Sequence, residues 1–176
     1  MNKKKILVIA PHPDDETLGC GGTLLRHNKE GYELHWMIVT RMSEKKGWNR
    51  NQIEKRSKEI ERVAKAYRFK KVHQLNLITG HLESTPLNDL IKKIGSIFKT
   101  IKPNIVYIPF FNDVHTDHQI TFKAVSVCIK WFRYPSISKV LMYETLSETN
   151  FNYGESQSFQ PNVFLEISKY INKKFK

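Results

Sequence analysis

Apolar and β-branched residues gather in short runs at positions 6–10, 34–40, 72–75, 105–110, 140–143 and 163–167. Such runs, nearly unbroken and bounded by turn formers, predict strands covered on both faces. Between the first four lie segments 17–29, 52–67 and 87–100, where apolar residues recur at spacings of three and four and predict helices. Segment 119–132 supplies a further helix ahead of the fifth strand. This alternation predicts an α/β, Rossmann-like domain: a mostly parallel sheet with helices on both faces. Its 176 residues are the length of a single domain, 1–176, and enough to bury a core. TLSETNFNYGESQS (145–158) is polar and turn-rich and is expected to form a loop or mobile flap. YINKKFK (170–176) reads as a basic, helix-like stub.

In open parallel sheets ligands bind outside the carboxyl ends of the strands, near the switch in strand order. Two polar clusters fall on that edge: PHPDDE (11–16) after the first strand and FNDVHTDH (111–118) after the fourth. The glycines that follow the first cluster invite a phosphate reading. Gly19, Gly21 and Gly22 nevertheless lack the spacing of a dinucleotide turn and the lysine of a P-loop, and three acids before them would repel phosphate. They are expected to let the helix start approach the sheet or a ligand closely.

A metal explains more of the pattern. His12 and Asp15 stand three apart in a turn held by Pro11 and Pro13, so an imidazole and a carboxylate can converge on one ion while Asp14 points elsewhere. His115 and His118 form a second pair three apart. One of them would complete a two-histidine, one-carboxylate set with positions left for water and substrate. His118, deeper in the fold, is the better ligand, and His115 then faces the open position. The competing explanation is that Asp14, Asp15 and Glu16 merely cap the next helix and favour its positive end. Two histidine-bearing acidic clusters on one sheet edge weigh against it. His27, His35, His73 and His81 are read as ordinary, without partners at ligand spacing.

The charge is +12, from 29 Lys and Arg against 17 Asp and Glu. The basic residues are scattered in pairs without interleaved aromatics, so no nucleic-acid groove is indicated and a surface for small anionic molecules or sugars fits as well. Cys20 and Cys128 are too few for a disulfide framework. The apolar run near the start is too short for a signal peptide, and no segment approaches the roughly 20 apolar residues of a membrane span. The expected setting is cytoplasmic; the sequence admits a homo-oligomer without demanding one.

HPDDE after an opening strand, a Gly-rich helix start and a later D-x-H-x-D-H together resemble the LmbE-like/PIG-L family of zinc-dependent N-deacetylases. The resemblance runs from Lys4 to about Ile167 and takes in RSKEIERVAKAY (56–67), IKPNIVYIP, YETLSETNF and FQPNVFLEIS. It implies a Zn2+ site (Fe2+ is the other metal considered) made by His12, Asp15 and His118. It also implies a small-molecule substrate, an N-acetylated sugar of the N-acetylglucosamine type. Asp14 would be the general base, and His115 would stabilise the oxyanion and protonate the leaving amine. Asp117 is expected either to hydrogen-bond His115 and keep it protonated or simply to cap the helix. Arg56 is a candidate contact to the aglycone, and Glu144 a candidate support for His115 or the sugar.

The chain departs from the family pattern in two places. Family members usually continue for some tens of residues past the position of Ile167. Thr79 and Gly80 stand where the family commonly offers an acid. Both departures are expected to bear on substrate specificity and not on the metal chemistry. Two other classes fit parts of the pattern: a nonheme iron oxygenase, which shares the two-histidine, one-carboxylate triad, and a noncatalytic sugar- or nucleotide-binding module.

Overall fold

From Ile6 to Ala10 every residue of strand β1 (Lys5–Ala10) is apolar and fully buried, as the central strand of a two-sided sheet requires. The computed structural model describes residues 3–130, 132–151 and 158–175. Around β1 lie β2 (Glu33–Arg41), β3 (Lys71–Ile78), β4 (Ile105–Pro109) and β5 (Lys139–Tyr143), in the order β3-β2-β1-β4-β5. Every pairing is parallel, with Ile6 opposite both Leu34 and Ile105. The helices are α1 (Asp15–Lys29), α2 (Arg50–Tyr67), α3 (Leu87–Ile101) and α4 (Thr116–Cys128), with the shorter α5 (Leu146–Thr149) and α6 (Ser168–Lys174).

The period of two along the strands divides the core in half. Ile6, Val8 and Ala10 join Leu34, Trp36 and Ile38 beneath Leu24 and Leu25 of α1 and Tyr67 of α2. Leu7 and Ile9 join Met37, Val39, Val106 and Ile108 beneath Leu90, Ile94 and Phe98 of α3 and Ala124 and Val125 of α4. The expected doubly covered parallel sheet is therefore present. Strand order reverses between β1 and β4, and these are the strands that carry the two polar clusters.

Three expectations change. Residues 163–167 form no strand: Val163 and Phe164 are exposed, and a cavity of about 390 Å³ separates this stretch from the edge of β5. Pro161 has no N–H to offer to a ladder in any case. The fourth helix starts at Thr116, not 119, and ends at Cys128, because His115 caps it by accepting the Asp117 backbone N–H at Nδ1. The turn-rich stretch 145–158 contains α5; residues 152–157 of the expected flap lie outside those described. The stub at the end is helical, as α6.

Close approach accounts for the glycines of α1. A Cβ on Gly19 would run into the ring of Tyr143 and lie 2.9 Å from the Glu144 carbonyl, and one on Gly22 would strike Ile167. Tyr143 cannot give way, since it is buried and its hydroxyl donates to the Ile9 carbonyl at 2.8 Å. Gly19→Ala is expected to lower stability by about 1–3 kcal/mol, the usual cost of overpacking. Urea unfolding of the two proteins measures it, and an unchanged midpoint would contradict this packing.

Candidate active site

The two turns that leave β1 and β4 meet at the switch point. His12 stands on the first, Asp15 opens α1, and His118 sits in the first turn of α4. The three donor atoms form a nearly equilateral triangle: His118 Nε2 is 3.3 Å from His12 Nδ1 and 3.3 Å from Asp15 Oδ2, and His12 Nδ1 is 3.5 Å from Asp15 Oδ2. Ligand bonds of about 2.0–2.1 Å in tetrahedral geometry set donors about 3.3–3.4 Å apart. The triangle therefore fits a tetrahedral divalent ion with a fourth position open. Asp15 does not cap the helix. Its Oδ2 accepts the His12 backbone N–H at 2.7 Å, and Asp14 at the N-cap makes no side-chain capping bond. Complete burial pushes the Glu16 carboxyl up to about 8, which weakens any charge it brings to the helix end. Side-chain capping is thus absent at the N-cap, although Asp15 and Glu16 do stand in the first turn of the helix.

Behind each imidazole stands a carboxylate. Asp117 Oδ2 lies 3.0 Å from His12 Nε2, and Asp113 Oδ2 lies 2.8 Å from His118 Nδ1. Both acids are buried, and each is fixed in turn. Asp117 accepts the backbone N–H groups of Gly80 at 2.7 Å and Leu82 at 3.2 Å. Asp113 accepts the Thr149 hydroxyl at 2.6 Å, while Thr149 Oγ1 accepts the Thr145 N–H at 2.8 Å. Such outer carboxylates orient the rings and raise their basicity toward a metal. Asp117 thus serves His12 and not the ring of His115, contrary to one expectation from the sequence. The main chain at Gly80, where the family commonly has an acid, holds Asp117. The Asp113–Thr149 pair was missed; the only signal was Asp113 five residues ahead of His118, and acids before helices are ordinary.

One cavity of about 380 Å³ opens beside the triangle, lined by His12, Asp14, Asp15, Arg56, His115 and Glu148 among others. Asp14 does point away from the triangle's centre and into this cavity. Partial burial raises its carboxyl above the usual range, Asp15 adds to that, and Arg56 opposes it from 3.6 Å. Arg56 also donates to the Pro13 carbonyl at 3.3 Å and faces Glu59 at 3.5 Å. His115 is pushed down by burial and by His12, and its Nδ1 accepts the Asp117 N–H, so its Nε2 carries the proton of a neutral ring. It is not held protonated. Glu144 lines the other cavity, against β5, and the acid that faces His115 is Glu148 of α5. The remaining histidines are better partnered than the sequence suggested. His27 meets Glu30 and Tyr107, His35 meets Glu33 at 3.0 Å and His73 at 3.4 Å, and His81 meets Glu83. Among the described residues, three-donor groups able to hold a metal occur only around His12.

Parallel order, a switch-point crevice and a His-Asp-His donor triangle with a carboxylate and a neutral imidazole beside it define a metallohydrolase type of α/β domain. The chain belongs to the PIG-L family, whose model, described as GlcNAc-PI de-N-acetylase, matches residues 7–129. It is similar to the uncharacterized deacetylase YaiS of Escherichia coli, with 30% identity over 96% of this chain and 85% of that protein. It is also similar to the diacetylchitobiose deacetylase of Thermococcus kodakarensis, with 26% identity over 98% of this chain and 67% of that protein. Among solved structures, the conserved protein TT1542 of Thermus thermophilus superposes with a TM-score of 0.76 at 25% identity, covering 96% of this chain and 74% of that one.

Two outcomes follow from the buried network. Burial alone would depress the His118 imidazole, but its bonds to Asp113 and Asp15 overcome this and lift it to about 9. A divalent ion must therefore displace a proton from Nε2 at neutral pH. Apparent metal affinity is expected to rise about tenfold per pH unit from about pH 6 to 8, and titration calorimetry in buffers of different protonation enthalpy reads the released proton. Thr149→Val should weaken metal binding by about 10–100-fold through the loosened Asp113. Competition with a chromogenic chelator measures this, and an unchanged affinity would show that Asp113 needs no help in holding His118.

Proposed function

We propose that the protein is a zinc-dependent N-deacetylase that hydrolyses the acetamide of an N-acetylglucosamine-type sugar. The observation that carries this reading is the donor triangle of His12, Asp15 and His118, whose His12 and Asp15 line the same cavity as Asp14 and His115. The deacetylase names of the relatives support it. When bound, the ion supplies an activated water and a positive charge at the acetyl carbonyl.

The chain's own residues do the rest. Asp14 faces the cavity from the first turn and accepts the proton of the attacking water; its raised pKa brings it closer to neutral, where a base works best. His115, as a neutral ring, donates an Nε2–H hydrogen bond to the carbonyl oxygen as charge develops there, and Asp14 passes the proton taken from the water to the departing amine. Asp113 and Asp117 keep the ligand rings oriented throughout. The oxygenase alternative leaves Asp14 and His115 without a task, and a noncatalytic module leaves the whole network without one. The basic surface is read as suited to small hydroxylated or anionic molecules and not to nucleic acid.

The test is a mass-spectrometric screen of N-acetylated sugars with the zinc-loaded protein, reading loss of one acetyl group. Asp14→Asn should keep its metal while hydrolysis falls by roughly 10²–10⁴, the contribution of a general base. Asp15→Ala should lose both metal and activity. If Asp14→Asn loses the metal while Asp15→Ala retains it, the two roles are exchanged.

A further inference from the structure

All five strands run the same way, so their starts and the helix ends that feed them share one edge of the sheet, opposite the donor triangle. Hydrogen bonds stitch these connections together: the Glu33 N–H donates to the Lys4 carbonyl at 3.0 Å, the Asn104 N–H to that of Lys5 at 2.8 Å, and the Ser138 N–H to that of Asn104 at 2.8 Å. The segments 3–5, 29–33, 68–71, 102–105 and 129–139 hold eleven lysines and arginines against two acids, Glu30 and Glu33. Both acids are taken, Glu30 by Arg26 at 2.7 Å and Glu33 by His35 at 3.0 Å. Among the described residues none of the eleven cations forms an ion pair, and all but Lys5 are exposed.

The carboxyl edge is the reverse. Segments 11–16, 41–49, 78–86, 110–117 and 144–148 hold nine acids against three cations. Lysines that look scattered along the sequence are thus gathered by the topology at one pole. At that pole the connection from α4 to β5 sets Phe132 between Lys130 and Arg133, with 61% of its surface exposed.

We propose that the amino edge of the sheet is a docking face for an anionic phospholipid bilayer, with Phe132 entering the headgroup layer and the active-site cavity turned away from it. Cations in the last turns of helices would favour the macrodipole, but Lys3, Lys4 and Lys139 flank strands and answer no helix end. Headgroups are small anions held in a plane, and these cations are spread across the starts of five strands about 4.8 Å apart, which is a plane as well. A nucleic acid would call for a groove with arginines and stacking aromatics along it, whereas nine of the eleven cations are lysines. An exposed ring flanked by positive charge adds apolar insertion to electrostatic attraction, as interfacial surfaces do. The acids around the cavity are repelled by the same surface that draws the basic edge in, so the charge asymmetry also sets the orientation.

Cosedimentation of the whole protein with vesicles tests this without any sugar, so its outcome is independent of the deacetylase reading. Vesicles of phosphatidylcholine with about 30% phosphatidylglycerol should bind the protein at about 0.1 M salt and release it at about 0.5 M, and pure phosphatidylcholine should not bind it. Lys3→Gln combined with Lys4→Gln should weaken binding about 25-fold, at about fivefold per charge. Phe132→Ser should weaken it about fivefold, and Phe132→Trp, which keeps an aromatic ring, should retain it and so separates loss of the ring from loss of folding. Lys45→Gln combined with Lys46→Gln removes the same charge from the carboxyl edge and should leave binding unchanged.

Equal losses in the two double variants would mean that net charge alone acts, and would overturn the docking face. Binding to pure phosphatidylcholine, an unaffected Phe132→Ser protein, or a DNA duplex that strips the protein from vesicles at equal phosphate concentration would overturn it too.

Discussion

The parallel pairing of β1 with β4 is the constraint on which the rest depends. It aligns the carboxyl ends of two strands that are a hundred residues apart in sequence, so that the turns they feed emerge side by side. The contacts that join the two turns span that seam, among them His12–His118 at 3.3 Å, Asp15–His118 at 3.3 Å and His12–Asp117 at 3.0 Å. A slip of one residue between these strands would turn Leu7 and Val8 to the wrong faces and would part the donors at the same time. Core packing and donor geometry are thus fixed by one register.

Once the turns meet, electrostatics dictates the rest. Four carboxylates, those of Asp14, Asp15, Asp113 and Asp117, face three imidazoles within a crevice where most of them are shielded from water. Such a set is tolerable only if positive charge is present. In the metal-free protein His118 supplies it by holding its proton to about 9. A divalent ion held by the triangle would supply it from the centre. The proposed metal and the raised His118 pKa would answer the same need.

Much of this was legible in the sequence because the signals were periodic or local. The unbroken run ILVIA could only be a strand buried on both faces, and the strand-helix alternation then implied parallel order and a crevice at the carboxyl edge. His12, between Pro11 and Pro13, and Asp15, three residues on, form a contact within a single turn. What could not be read depended on which segments come together in space. Asp113 meets Thr149 across 36 residues, and Asp117 turns to His12 because the chain at Gly80 and Leu82 presents its N–H groups there. Residues 163–167 have the composition of a strand, but the edge of β5 is separated from them by a cavity, and composition carries no information about that distance.

The same division between local and distant control separates reaction from specificity. The groups proposed to react stand on the turns that leave β1 and β4, the most buried part of the sheet. The far wall of the cavity comes from the loop before α2 and from the edge strand β3, whose faces are only half covered and whose register slips. Edge strands and loops change at little cost to the core, since few packed side chains depend on them. A fold arranged in this way can keep one metal chemistry while the outer wall is rebuilt around different substrates. In this chain that wall mixes the apolar side chains of Met42, Trp48, Ile53 and Ile60 with the amides of Gln74 and Asn76 and the guanidinium groups of Arg41 and Arg56, so its contacts can be exchanged without touching the donors behind it.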